Sequence, residues 1–140
     1  MIGVSRKVPL SGFDASCMRI ASILGGGVGG SGEICGAVSG ASACIGLIYG
    51  TDGTEEPDEF DRKRTLARSL VNQMVSEFTE KWGTVRCRLL KAMDKGEMNP
   101  AGTAREKPYA RDRCDEYVAW TANWLGNVAE SVSPSSDIME

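Results

Sequence analysis

Gly25 to Gly50 reads GGGVGGSGEICGAVSGASACIGLIYG, a glycine-rich run that passes into an apolar segment with Glu33 as its single charge. As a solvated linker it would leave Ile34, Val38, Ile45, Leu47 and Ile48 in water, which the hydrophobic effect opposes. No proline interrupts Ile34 to Tyr49. At about 100° per residue Gly36, Gly40, Ala43 and Leu47 share one helical face. The stretch therefore predicts a buried central helix near 34–49 with one nearly smooth side. Glycine inside a helix costs roughly 1 kcal/mol relative to alanine, so two of them one turn apart imply close approach by a backbone or a ligand.

Within this stretch Ser31 can serve as N-cap, which puts Cys35 at the end of the first helical turn. Free amides and the positive end of the helix dipole favour an anion there, and a thiolate is one. Free cysteine is also among the most buried residue types, so position alone leaves a reactive thiol and a packed one equally open. The run Gly25-x-Gly27-x-x-Gly30 formally satisfies GxGxxG. No strand precedes it, no βαβ pattern surrounds it, and no lysine follows Gly30 in P-loop register, so no nucleotide is expected. Gly27, Gly29, Gly30 and Gly32 read instead as a loop that lets backbone crowd around Cys35 and cradle a sulfide, an oxyanion or a thiolate.

The charge distribution sets the remaining bounds. Of 16 basic and 19 acidic residues, only Arg6, Lys7, Asp14, Arg19 and Glu33 precede position 51, so the first third reads as the inside and the rest as its jacket. A net charge of -3 lacks the basic surplus of a nucleic-acid footprint. Met1 to Leu10 has no signal-peptide pattern, and Ile34 to Gly50 falls short of the roughly 20 firmly apolar residues of a membrane span. A cytoplasmic protein with no membrane partner is expected. The 140 residues suit one domain over 1–132, with a disordered tail at 133–140. Histidine is absent, which excludes His-dependent triads, histidine ligation and CxxCH haem attachment. The five cysteines are spread singly, which fits neither a disulfide framework nor a zinc knuckle.

Along the chain, Asp14 can cap a helix to about Leu24 whose stripe Cys17, Ile20, Ala21 and Leu24 turns Cys17 inward. Pro57 opens and Gly83 closes a long helix with the stripe Phe60, Leu66, Leu70, Val71, Met74, Val75, Phe78 and Trp82. Thr84 can cap a helix to about Asp94, on which Cys87 lies roughly 150° from the apolar stripe of Val85, Leu89, Ala92 and Met93. Gly96 to Lys107 reads as a mobile loop. Pro108 opens a last helix to about 132, with Cys114, Tyr117, Val118, Thr121, Trp124, Leu125 and Val128 inward. Cys44, nine residues after Cys35, points to the opposite side of its helix and reads as packing. The whole predicts an all-α bundle around a small-residue central helix preceded by the glycine-rich loop. Its smooth face can equally bury against a second copy of the chain, as a homodimer would.

The motif Cys35-Gly36-Ala37-Val38-Ser39-Gly40, the preceding Gly25 to Gly32, the following Gly46-Leu47-Ile48-Tyr49-Gly50, and the downstream Cys87 and Cys114 resemble the family catalogued by its C_GCAxxG_C_C pattern and regarded as redox-active. The resemblance covers the chain from about Arg19 to Val128. That family carries a further cysteine well upstream of the motif; Cys17 answers to it here, closer to the motif than the pattern has it. The resemblance implies that Cys35, Cys87 and Cys114, with Cys17 as a fourth, converge on a redox centre. Cysteines without histidine suit an iron-sulfur cluster, most simply [2Fe-2S], or zinc. Cofactor-free thiol-disulfide exchange and a helical interaction module with inert cysteines stand beside it. A redox partner protein is expected, and the sequence does not separate an enzyme from an electron carrier.

Overall fold

The apolar face of the central segment is covered from two sides by helices of the C-terminal half. The computed structural model describes residues 1–96 and 113–132, which form six helices: α1 Ile2–Ser5, α2 Ala15–Ala21, α3 Gly36–Tyr49, α4 Pro57–Trp82, α5 Cys87–Asp94 and α6 Cys114–Ser131. The architecture is all-α, as the sequence predicts, with an isolated antiparallel bridge between Ile34 and Arg86 among the described residues. α3 packs against α4 and α6, and α1 against α6.

Val38, Ala41, Cys44 and Ile45 of α3 are buried at the centre with Met74 and Phe78 of α4 and Tyr117 and Leu125 of α6. Phe78 joins the layers, with ring centroids 5.5 Å from Trp120, 5.8 Å from Tyr117 and 6.4 Å from Trp82. α4 obeys the expected signals: Pro57 occupies its first turn, and Gly83 ends it with φ of 95°. A left-handed residue just past a helix favours glycine, which has no Cβ to clash. Tyr49 closes the far end of α3 by donating its hydroxyl to the Val132 carbonyl at 2.7 Å.

The smooth face of α3 is used for close backbone approach. A Cβ on Gly36 would stand 3.2 Å from the Leu24 carbonyl oxygen and 3.2 Å from the Gly25 Cα, and one on Gly40 would stand 3.5 Å from the Met1 nitrogen. Two glycines one turn apart thus admit the segment before the glycine-rich loop and the start of the chain.

Three expectations are corrected. The helix capped by Asp14 ends at Ala21 rather than near Leu24, and although Asp14 accepts from the Ser16 and Cys17 amides, no residue of α2 is buried. Ile20 and Ile23 are 67% and 62% exposed, so the first third is not uniformly interior. α2 carries too short an apolar stripe to be drawn into the bundle. Ser31 does not cap α3; its hydroxyl donates to the Gly27 carbonyl, and the N-cap is Cys35 itself. Thr84 does not cap α5 but accepts from the Arg86 amide in a turn two residues earlier, so that α5 begins at Cys87. The loop expected at Gly96 to Lys107, the start of the last helix at Pro108 and the tail at 133–140 lie outside the described residues, apart from Gly96. Among the described residues no helix is long and apolar enough to cross a membrane.

Phe78 is fully buried at the junction of α4 and α6. Phe78→Ala is expected to cost about 3–5 kcal/mol by removing transfer energy and opening a cavity, measured by chemical denaturation.

Candidate functional site

Two segments 52 positions apart are stitched together by the bridge between Ile34 and Arg86. The Cys35 amide donates to the Val85 carbonyl at 2.7 Å, and the Cys87 amide donates to the Glu33 carbonyl at 2.6 Å. The Arg88 amide adds a third bond, to Gly32 at 2.9 Å. Outside the backbone, Arg86 pairs with Glu33 at 3.2 Å. Each cysteine therefore stands directly after a bridged residue and at a helix start, Cys35 as N-cap of α3 and Cys87 as first residue of α5. Cys114 is likewise the first residue of α6.

These three helix starts meet on one cavity of about 300 Å³, lined by Cys35, Cys87 and Cys114 together with Gly36, Gly40 and Lys91. Cys35 and Cys87 are buried, whereas Cys114 is exposed at the rim. The inward face expected of the last helix begins at Tyr117; Cys114 precedes the packed turns and Val118 is 44% exposed. Cys87 is 8% exposed and, contrary to the expected stripe of Val85, Leu89, Ala92 and Met93, it shares the buried face of α5 with Leu90 and Asp94, where the glycine-rich loop also presses on it. A Cβ on Gly27 would fall 2.8 Å from the Cys87 Cβ and 2.7 Å from the Gly32 carbonyl carbon, and would collide with the Glu33 amide.

The loop reaches this closeness by a left-handed run: Gly26, Gly27, Val28, Gly29 and Gly30 have φ of 65°, 77°, 67°, 62° and 75°. Glycine takes such values freely, while a β-branched residue there is strained by about 1–3 kcal/mol. Of the glycines expected to crowd Cys35, Gly27 instead lies against Cys87, and Gly32 lies against Arg88, whose side chain would be 3.1 Å from an added Cβ. A Cβ on Gly29 or Gly30 would meet nothing within 4 Å.

Electrostatically, Cys35 is a contest between burial and its helix. Burial pushes its pKa above the ordinary 9.0; the Ala37 and Val38 amides pull it down, and Cys87 and Cys114 as potential like charges push it up again. The balance is a raised value, so the protonated thiol is the resting form. That Cys87 and Cys114 both act on Cys35 electrostatically agrees with their sharing one cavity.

Cys114 is placed by a residue that the sequence does not announce. Asp94, at the end of α5, is 1% exposed and accepts the Tyr117 hydroxyl at 2.7 and 2.9 Å. It also accepts the Arg113 amide at 3.0 Å, so the residue at the N-cap position of α6 is tied to the end of α5. The Arg113 guanidinium lies 5.1 Å from the Trp82 ring centroid, and that ring meets Tyr117 edge-on at 5.0 Å. Lys91 was also missed, although it lies four residues after Cys87 and so on the same helical face.

The family described as "Putative redox-active protein (C_GCAxxG_C_C)" matches residues 4–128. The chain belongs to that family. No curated protein and no solved structure matches it. In this C_GCAxxG_C_C protein the upstream cysteine stands apart from the other three. Cys17 is not inside a buried stripe; its thiol donates to the Gly12 carbonyl at 3.2 Å, and it lines a neighbouring apolar cavity with Ile20, Leu24, Ala43 and Leu47. Cys44 is fully buried in the core, the packing position expected of it. Among the described residues no group of three or more histidine, cysteine or carboxylate side chains is gathered closely enough to hold a metal ion.

Three outcomes follow from this geometry. Val28→Gly is expected to raise stability by about 1 kcal/mol by relieving left-handed strain, read from the denaturation midpoint. Gly27→Ala is expected to lower stability by more than that and to change the alkylation rate of Cys87, since the added methyl meets backbone on one side and that side chain on the other. In the reduced, metal-free protein, peptide mapping should show little reaction of Cys35 with iodoacetamide below pH 9 and a rise only well above it. The same shift makes the folded state lose stability as pH climbs from 9.0 through the raised value, because the unfolded chain has already released its proton.

Proposed function

We propose that the chain is a redox protein whose centre is built on Cys35, Cys87 and Cys114. The observation that supports this reading is the arrival of three thiols, from three separate helix starts, on one cavity. Sulfur donors with no histidine in the chain suit an iron-sulfur cluster, most simply [2Fe-2S], or zinc, and three of them leave one ligand position to another residue or to substrate. A bound cluster would supply one-electron transfer. The chain's own part is to carry the thiolates at helix N-termini, where free amides favour negative charge, and to keep Cys35 and Cys87 out of bulk water. Ligation requires the thiols to draw closer than they stand here, and Cys17, in the next cavity, is not placed to complete the set. A reducing, cytoplasmic setting and a separate redox partner protein belong to the same reading.

The ungathered thiols favour a second reading, cofactor-free exchange with a disulfide substrate, in which the Ala37 and Val38 amides oppose the burial that keeps Cys35 protonated. Cys35 loses its proton and attacks one substrate sulfur, and the other sulfur leaves as a thiol after taking a proton. Cys87 or Cys114 then attacks the mixed disulfide; an intramolecular disulfide forms and the second substrate thiol departs. Two electrons pass from the protein to the substrate.

Iron, acid-labile sulfide and zinc content, with a visible spectrum on anaerobically purified protein, separates the readings. Stoichiometric iron and sulfide are expected, lost in Cys35→Ser, Cys87→Ser or Cys114→Ser and retained in Cys17→Ser. A colourless, metal-free protein whose Cys35 exchanges with a disulfide supports the second reading. A Cys35→Ser variant unchanged in both metal content and thiol exchange overturns the two together.

A further inference from the structure

The bridge that stitches the two segments together also decides which of the other thiols is set to meet Cys35. Ile34 stands opposite Arg86, so the antiparallel register puts Cys35 opposite Val85 and Glu33 opposite Cys87. Cys87 comes two residues after Val85, which makes Cys35 and Cys87 a diagonal pair across the bridge. Side chains alternate along extended backbone, and each cysteine is one step past a bridged residue. Both thiols therefore leave the bridge on the same side. Burial agrees, for Ile34 and Arg86 are exposed while Cys35 and Cys87 are 7% and 8% exposed.

Diagonal neighbours of this kind are about 7–8 Å apart at Cα, and a disulfide usually spans up to about 6.8 Å, so joining them asks for a movement on the order of 1 Å. Cys114 reaches the same cavity by a different tie. It follows Arg113, whose amide is held by Asp94, and Asp94 lies seven residues after Cys87, about 10 Å further along the axis of α5. Cys114 is also exposed at the rim, whereas Cys35 and Cys87 are covered. As a potential like charge Cys87 outweighs Cys114 at Cys35, in agreement with the closer placement that the bridge gives it.

We propose that Cys87 is the resolving thiol of Cys35, so that the oxidised chain carries a disulfide between Cys35 and Cys87 across the bridge and keeps Cys114 as a thiol. In this role Cys87 rests on the thiol-exchange reading of the centre. Once Cys35 is held in a mixed disulfide with substrate, Cys87 gives up its proton and its sulfur attacks the Cys35 sulfur. The bond from Cys35 to the substrate breaks, and the departing sulfur takes a proton and leaves as a thiol. Two protein thiols have become one disulfide and one substrate disulfide has become two thiols, so the substrate itself is the oxidant. A cavity of about 300 Å³ admits a small disulfide. Gly27, where a Cβ would fall 2.8 Å from the Cys87 Cβ, lets the loop close over the resolving thiol and keep it from bulk water.

The test is oxidation of the full-length, reduced protein with bis(2-hydroxyethyl) disulfide at alkaline pH, followed by alkylation in denaturant and peptide mapping without reduction. A peptide pair linked through Cys35 and Cys87 is expected to dominate, with Cys114 recovered in alkylated form. Cys114→Ser should form the link at a rate within about twofold of the unsubstituted chain, whereas Cys87→Ser should retain a mercaptoethanol adduct on Cys35 and release its second thiol about tenfold more slowly. Cys114 is exposed at the rim, so its substitution leaves the bridge and loop intact even if Cys87→Ser disturbs them. A dominant link between Cys35 and Cys114, or a comparable loss of rate in Cys114→Ser, overturns the assignment of Cys87 and leaves exchange at Cys35 standing. An unsubstituted chain in which Cys35 enters neither an adduct nor a link overturns the exchange reading and the assignment with it.

Discussion

A two-bond backbone bridge holds the site together. The pairing of Ile34 with Arg86 is too small to be a sheet, yet it fixes where two helices begin and which way their first side chains face. Helices start wherever a cap permits, and Ser31 and Thr84 both offer earlier starts. The bridge overrides them because it satisfies the amides of Cys35 and Cys87 in place of a side-chain cap. Both cysteines therefore become terminal helical residues instead of interior ones. The left-handed loop exists to bring residues 32 to 34 back to this pairing at close range, and the strain at Val28 is held by that closure.

Two opposing influences then decide the chemistry of Cys35. A helix start favours the thiolate, and a dry cavity disfavours it. Desolvation prevails in the resting chain. A centre of this kind is silent until something compensates the charge, whether a cation bound among the thiols or a partner that lowers the cost of deprotonation. Burial is thus compatible with function here: it makes reactivity conditional.

Much of the scaffold was legible in the sequence. α4 announces itself by Pro57, Gly83 and a continuous stripe, and α3 by uncharged length and glycine spacing, because these are local signals of sufficient length. The convergence of Cys35, Cys87 and Cys114 was reached through a family pattern rather than through spacing, since no local rule brings three helix starts together. The exposure of α2 was misread because a four-residue apolar recurrence says that a face exists, not that a neighbour covers it. Cys87 was singled out for standing off a stripe that was itself misplaced: the buried residues of α5 are Cys87, Leu90, Met93 and Asp94, and Cys87 is also covered by a loop more than fifty residues earlier, contact that periodicity does not encode. Asp94 left no trace, as a polar residue at the end of a polar helix is the commonest surface pattern; its burial is decided by Tyr117 and Arg113 across the gap.

That last contact separates the position of Cys114 from the length of chain that leads to it. Asp94 and Arg113 are 19 residues apart, and their hydrogen bond closes the intervening segment into a ring as seen from the fold. Closing a longer ring costs little, about 0.6 kcal/mol for each doubling of its length. The third thiol therefore takes its address from α5, across a hydrogen bond, and not from the number of residues that separate the two helices.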